Sequence, residues 1–163
     1  MTLSKSIQDA INTQINEELY SSYLYLAMAA HFDAENLSGF AHWMKVQAEE
    51  ERAHAMKFYS YIYDRGGVVV FKAIPMPPTK FKSPLDGFKH VLFHEQKITK
   101  SINLLFEQAL KEKDYASQIL LQWFINEQVE EEKNDTEIIN QLEMLGDSPI
   151  SLMMMDRRLA ERK

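Results

Sequence analysis

Four long stretches of the chain carry apolar residues at a 3.6-residue period, and each is bounded by helix punctuation. The first opens at Ser6, with Asp9 three residues on as in a capping box, and runs to about Asp33. Ser38 caps a second helix that ends at Gly66-Gly67. Ser83-Pro84-Leu85-Asp86 supplies an N-cap, a first-turn proline and an acidic third position for the next, which runs to about Glu112. Asp114 opens a fourth, which stops near Gly146, and Ser148-Pro149 repeats the cap-plus-proline signal for a short last helix to about Ala160. Only Gly67 to Lys82 reads as extended, because its valines, phenylalanines and three prolines do not sustain a helix.

Connection lengths turn this pattern into a topology. The first two helices are joined by a few residues and the third and fourth by one or two, so each pair forms an antiparallel hairpin. The middle connection is different. A helix of about 28 residues is roughly 42 Å long, and an extended segment of sixteen residues spans at most about 55 Å, enough to travel from one end of a bundle to the other. The predicted fold class is all-α: a single domain over residues 1–163, built as a four-helix bundle with one long crossover connection and a short fifth C-terminal helix.

Each long helix breaks its own apolar stripe with an acid. In the second, Glu51 is centred among Phe40, Met44, Ala48, Ala55, Phe58 and Ile62, with His54 on the same stripe. In the first, Glu18 is centred among Ile7, Ile11, Ile15, Ser22, Tyr25, Ala29 and Phe32. In the third, Glu95 lies among Phe88, Val91, Leu92, Ile98, Ile102 and Phe106; in the fourth, Glu131 lies among Leu120, Phe124, Ile138 and Leu142. Glu18 and Glu51 stand at similar distances from the first hairpin loop, as do Glu95 and Glu131 from the second, so antiparallel packing brings all four to one level. Two unit charges 4 Å apart repel by roughly 4 kcal/mol even at an effective dielectric near 20, and no Lys or Arg lies on these stripes near the glutamates. Two bound divalent or trivalent metal ions answer the problem. Carboxylates with a single imidazole suit iron or manganese better than structural zinc.

Composition narrows the alternatives. The net charge is −6, from 24 acidic and 18 basic residues, which argues against a nucleic-acid-binding surface and suits a cationic ligand. There is no cysteine, so disulfides, thiol catalysis, thiolate zinc sites and cysteine-held clusters are excluded. The start, MTLSKSIQDAINTQ, lacks an apolar signal core, and no stretch approaches the ~20 apolar residues of a membrane span, so a cytoplasmic location without membrane association is expected. His90 and His94 are four apart but fall far from the third helix's apolar stripe, which makes them surface histidines.

The stretches NEELYSSYLY at 16–25, AEEERAHAM at 48–56, HEQKI at 94–98 and LQWFINEQVEEEK at 121–133 look like those of ferritins, specifically the non-haem bacterial and archaeal type, and the resemblance covers essentially the whole chain. By that resemblance Glu18, Glu51 and His54 hold a first iron, and Glu51, Glu95 and Glu131 a second, with Glu51 as the bridge. Gln128 belongs to the same catalytic set. A third iron falls on Glu50, Glu127, Glu130 and Glu131. Tyr25 and Trp123 stand near the site, where the resemblance suggests they supply electrons to oxygen; ordinary aromatic packing is the alternative. The fourth helix has Gln128-x-x-Glu131 where bacterioferritins have a second Glu-x-x-His, and Arg52 stands where they carry their haem-ligating methionine, so no haem is expected. The resemblance implies a ferroxidase that takes Fe(II) with O2 or H2O2 and stores Fe(III) as mineral inside a homo-oligomeric shell of twenty-four subunits. On the residues alone two other readings stay open: a di-metal oxidase acting on an organic substrate, and a metal-free interaction bundle, which leaves the four glutamates unexplained.

Overall fold

The computed structural model describes residues 2–163. Five helices follow in order: α1 (Lys5–Ala34), α2 (Ser38–Asp64), α3 (Pro84–Lys111), α4 (Tyr115–Leu145) and α5 (Pro149–Leu159), with no strand among the described residues. Three of the helix starts follow the punctuation in the sequence. Ser83 accepts from the Asp86 amide, Asp114 from Ser117 and Ser148 from Ser151, each satisfying a backbone donor that the helix itself leaves unpaired.

The other two starts differ from the sequence expectation. The α1 cap is Ser4 rather than Ser6: its hydroxyl accepts from the Ile7 amide, while Ser6 lies inside the helix and accepts from Gln108. The earlier start is anchored because Leu3 is buried and its amide donates to the Arg65 carbonyl. Ser38 is the first residue of α2 and does not cap it; the cap residue is Leu37, which makes no side-chain cap bond. The Asp156 carboxylate of α5 takes that role, accepting from the amides of Gly39 at 2.8 Å and Phe40 at 3.0 Å. Gly39 permits this approach, since a Cβ there would stand 1.7 Å from the Asp156 carbonyl oxygen.

The ends fix the helix directions. The Leu3–Arg65 bond, the Ser4 hydroxyl donating to Glu112, and the Arg65–Asp114 ion pair gather the starts of α1 and α4 with the ends of α2 and α3. Helices α1 and α4 therefore run one way and α2 and α3 the other, as the long crossover requires. That crossover lies along α1: Val68 donates to Gln8 and accepts from Asn12, Val70 donates to Asn12, and further on the buried Phe81 meets the His31 ring at 5.4 Å. The interior divides into two apolar halves. One holds Phe32, Phe40, Met44, Phe88 and Ile138; the other holds Ile7, Ile11, Phe58, Ile102 and Phe124. The polar layer lies between them.

Candidate metal centre

All four stripe glutamates are inside the bundle. Glu18 and Glu51 are 1% exposed, Glu95 is fully buried, and Glu131 and His54 are 6% exposed. The most convergent group is Glu18, Glu51 and His54, whose ligand atoms all lie within 4.8 Å of one another. It comes from facing positions on the antiparallel α1 and α2, with Glu51 and His54 one turn apart and His54 Nδ1 3.4 Å from Glu51.

Each carboxylate is oriented by a neutral donor. Gln14 Nε2 donates to Glu18 at 2.8 Å and is itself held by the Ser101 hydroxyl. Gln47 Nε2 donates to both Glu51 at 3.0 Å and Glu131 at 2.9 Å, joining the two hairpins. Glu95 accepts from the Tyr25 hydroxyl and from Gln128 Nε2 at 3.1 Å. One oxygen of Glu18 is buried without a hydrogen-bond partner. That open lone pair, beside a second carboxylate and an imidazole, is chemistry a cation satisfies.

Burial and crowding raise the acids together. Burial is the main cause for each. The Glu51 charge adds to it at Glu18, and those of Glu95 and Glu131 add to it at Glu51; both groups stand well above the usual carboxylate range. Glu95 is pushed up to about 7 by burial, against the lowering effect of its Tyr25 and Gln128 bonds. Glu131 is also pushed up to about 7, by burial and then the Glu95 charge. The buried Tyr25 hydroxyl is raised for the same reasons, burial first and Glu95 second. Glu18 and Glu51 are therefore held protonated at neutral pH, and a cation binding there would displace those protons.

The remaining candidates are placed less centrally. Glu127 is part-exposed and its carboxylate is 3.9 Å from His54 Nε2. Glu50 is bound by the Arg162 guanidinium beyond α5, and that guanidinium lies over the Trp43 ring at 4.2 Å. Glu130 is exposed. Among the described residues these acids do not converge as Glu18, Glu51 and His54 do. Trp123 meets the His54 ring edge-on at 5.5 Å and is itself covered by Lys57.

His90 is exposed as expected, but His94 is not a surface residue. It is 8% exposed, with Nε2 2.6 Å from the Ser21 hydroxyl and its ring between Tyr20 and Tyr25. The Ser21 hydroxyl also lies 3.0 Å from the Glu17 carbonyl, which ties it to the α1 backbone. Burial lowers the His94 pKa to about 4, keeping the ring neutral. Sequence reasoning also passed over Gln14, Gln47 and Asp135. A signal for the glutamines was present, since each stands four residues before an interior glutamate.

The chain matches the Ferritin-like domain family over residues 8–145. It is 44% identical over 160 residues to the bacterial non-heme ferritin of Staphylococcus haemolyticus, covering 98% of this chain and 96% of that protein. With the bacterial non-heme ferritin of Bacteroides fragilis it shares 42% identity, over 98% of this chain and 99% of the relative. Among solved structures it is similar to the open pore ferritin of the archaeon Archaeoglobus fulgidus, with a TM-score of 0.97 and 44% identity over 99% of this chain and 98% of that one. An engineered closed form of that ferritin gives a TM-score of 0.98 at 44% identity, over 99% of each chain. With matches of this extent in sequence and in fold, the chain belongs to the ferritin-like family.

Proposed function

We propose that this chain is the subunit of an iron-storing ferritin that oxidises Fe(II) at its interior carboxylate layer. The observation that carries the reading is the convergence of Glu18, Glu51 and His54 in a bundle core that also buries Glu95 and Glu131 at the same level. Iron is the substrate. One Fe(II) binds between Glu18, Glu51 and His54, a second between Glu51, Glu95 and Glu131, and Glu51 bridges them.

The protein's part is to deliver charge, geometry and protons. Binding two dications replaces protons held on Glu18 and Glu51, and Glu95 and Glu131 titrate close to neutrality and release theirs readily. Each Fe(II) gives one electron to dioxygen, and two protons complete hydrogen peroxide, leaving two Fe(III). With peroxide as oxidant the same two electrons, with two protons, cleave its O–O bond to give two waters. Gln47 and Gln128 hold the bridging and second-position carboxylates in place, and Tyr25 fixes Glu95. Fe(III) then leaves for a mineral inside a shell of copies of this chain, twenty-four by family resemblance; the near-full-length non-heme ferritin relatives support the storage half of the reading.

The test is aerobic loading of the purified protein with Fe(II) far beyond two per chain, followed by sizing with light scattering and an iron count. A shell-sized particle carrying hundreds of iron atoms is expected. A small particle that stops at two per chain would contradict storage.

A further inference from the structure

Asp135 is an interior acid that the layer described above does not use. It is 0% exposed, and neither carboxylate oxygen has a hydrogen-bond partner. Glu18, Glu51, Glu95 and Glu131 differ in this respect, because each accepts from a glutamine or tyrosine. A buried carboxylate without donors is strongly disfavoured; a proton removes its charge but leaves an O–H and a carbonyl oxygen without partners, whereas a cation meets the charge and the lone pairs together.

Its placement relates it to the centre. Asp135 follows Glu131 by one turn on the same face of α4, a spacing that puts the two Cβ atoms about 5–6 Å apart. The charges that weigh on it most are Glu95 from α3 and Glu131, with Glu132 weaker, and its own field reaches the Tyr25 hydroxyl that donates to Glu95. It therefore continues the layer on the Tyr25 side, away from His54 and Glu127. The basic group that acts on it is Arg162, whose guanidinium is bonded to Glu50 and makes no bond to Asp135. Asn134 and Ile138, which flank Asp135 along α4, line a surface hollow with Trp43, Arg158 and Arg162.

We infer that Asp135 and Glu131 bracket a position for an additional divalent cation, with hydrated Fe(II) as its natural occupant. This rests on the reading of Glu131 as a metal-facing carboxylate. Oxygen ligands from two carboxylates plus retained water suit a hard, partly hydrated ion. The position extends the metal layer by one helical turn from the central pair along α4.

Crystals of the chelator-stripped full-length protein soaked anaerobically in Fe(II), and separately in Zn(II), test this by anomalous density at the metal edge. A peak within bonding distance of both an Asp135 and a Glu131 oxygen is expected, beside peaks at Glu18, Glu51 and His54. In Asp135→Asn the Asp135 peak is lost and the central peaks stay; Asp135→Leu, which removes the buried acid altogether, is a second variant with the same expectation. Central peaks in the wild type with no density at Asp135 would overturn this position alone, as would a peak that survives in Asp135→Asn. The absence of every peak would overturn both this position and the central reading.

Discussion

The two hairpins contribute unlike halves to the same polar layer. From α1 and α2 come Glu18, Glu51 and His54, with ligand atoms within 4.8 Å of one another and an unpartnered oxygen on Glu18. From α3 and α4 come Glu95 and Glu131, whose oxygens are engaged by protein donors: Tyr25 and Gln128 at Glu95, and Gln47 at Glu131. Both halves carry protein donors, since Gln14 and Gln47 also bond Glu18 and Glu51. The first half differs by its free Glu18 oxygen and its imidazole, whereas both Glu95 oxygens of the second are occupied. On the proposed reading, the α1–α2 position is expected to fill first and more tightly, with Glu51 serving both positions.

The largest effect is expected from Glu51→Ala, which removes a ligand from both halves at once. The initial rate of Fe(II) oxidation, read by stopped-flow absorbance, should fall by at least about 100-fold, beyond the 10–100-fold that outer partners of metal ligands usually cost. The metal-free variant should melt no lower than the wild type, because an acid raised by burial and then by its like-charged neighbours has been taken away. A melting temperature that drops sharply would show Glu51 to be a structural residue instead.

Gln47→Leu acts on the layer from outside the ligand set. It removes the donor shared by Glu51 and Glu131 while keeping an apolar side chain in a fully buried place. Affinity for the second ion should fall by about 10–100-fold, with the first ion less affected. Gln14→Leu should show the reverse, since Gln14 bonds only Glu18 among the layer's acids. Equal effects of both variants on both ions would break the distinction between the halves.

The smallest effect is the pH dependence of the metal-free fold. Glu95 and Glu131 hold protons up to about 7 in the folded protein but ionise near the ordinary 4.5 when unfolded. Between those values the folded state binds more protons, so its stability falls as pH rises. Glu18 and Glu51 act in the same sense. His94 opposes them: folded it ionises near 4, so its contribution weakens as pH drops below 6.5. Several acids outweigh one histidine, and the melting temperature of the metal-free protein should fall by several degrees from pH 5 to pH 8, at about 2–4 °C per kcal/mol for a chain of this size. Saturating metal should reverse the trend, because ligands bind metal deprotonated. Calorimetry at both pH values reads both slopes.

Much of this was legible before the fold. The helical period alone put Glu18, Glu51, Glu95 and Glu131 at the centre of apolar stripes, and a bundle with short hairpin loops buries whatever lies there. The crossover was legible because valines and prolines resist helix and sixteen residues suffice for the length. What was not legible depends on partners distant in sequence. Ser38 is a good capping residue by type, yet the cap comes from Asp156 after α5 folds back. His94 lies off the centre of its own stripe but is buried because α1 presents Ser21 and Tyr20 there. Arg162 reaches Glu50 from beyond the last helix, and no pattern within α2 reveals it. Gln47 links the hairpins only once they dock, although its spacing from Glu51 repeats that of Gln14 from Glu18.

The metal layer stands or falls on an anaerobic calorimetric titration of the chelator-stripped protein with Fe(II). Two tight binding events per chain are expected, each releasing protons, the first lost in Glu18→Ala and the second in Glu131→Ala with the first retained. Absence of tight binding, or tight binding unchanged by Glu18→Ala, would contradict a metal layer built on Glu18, Glu51 and His54.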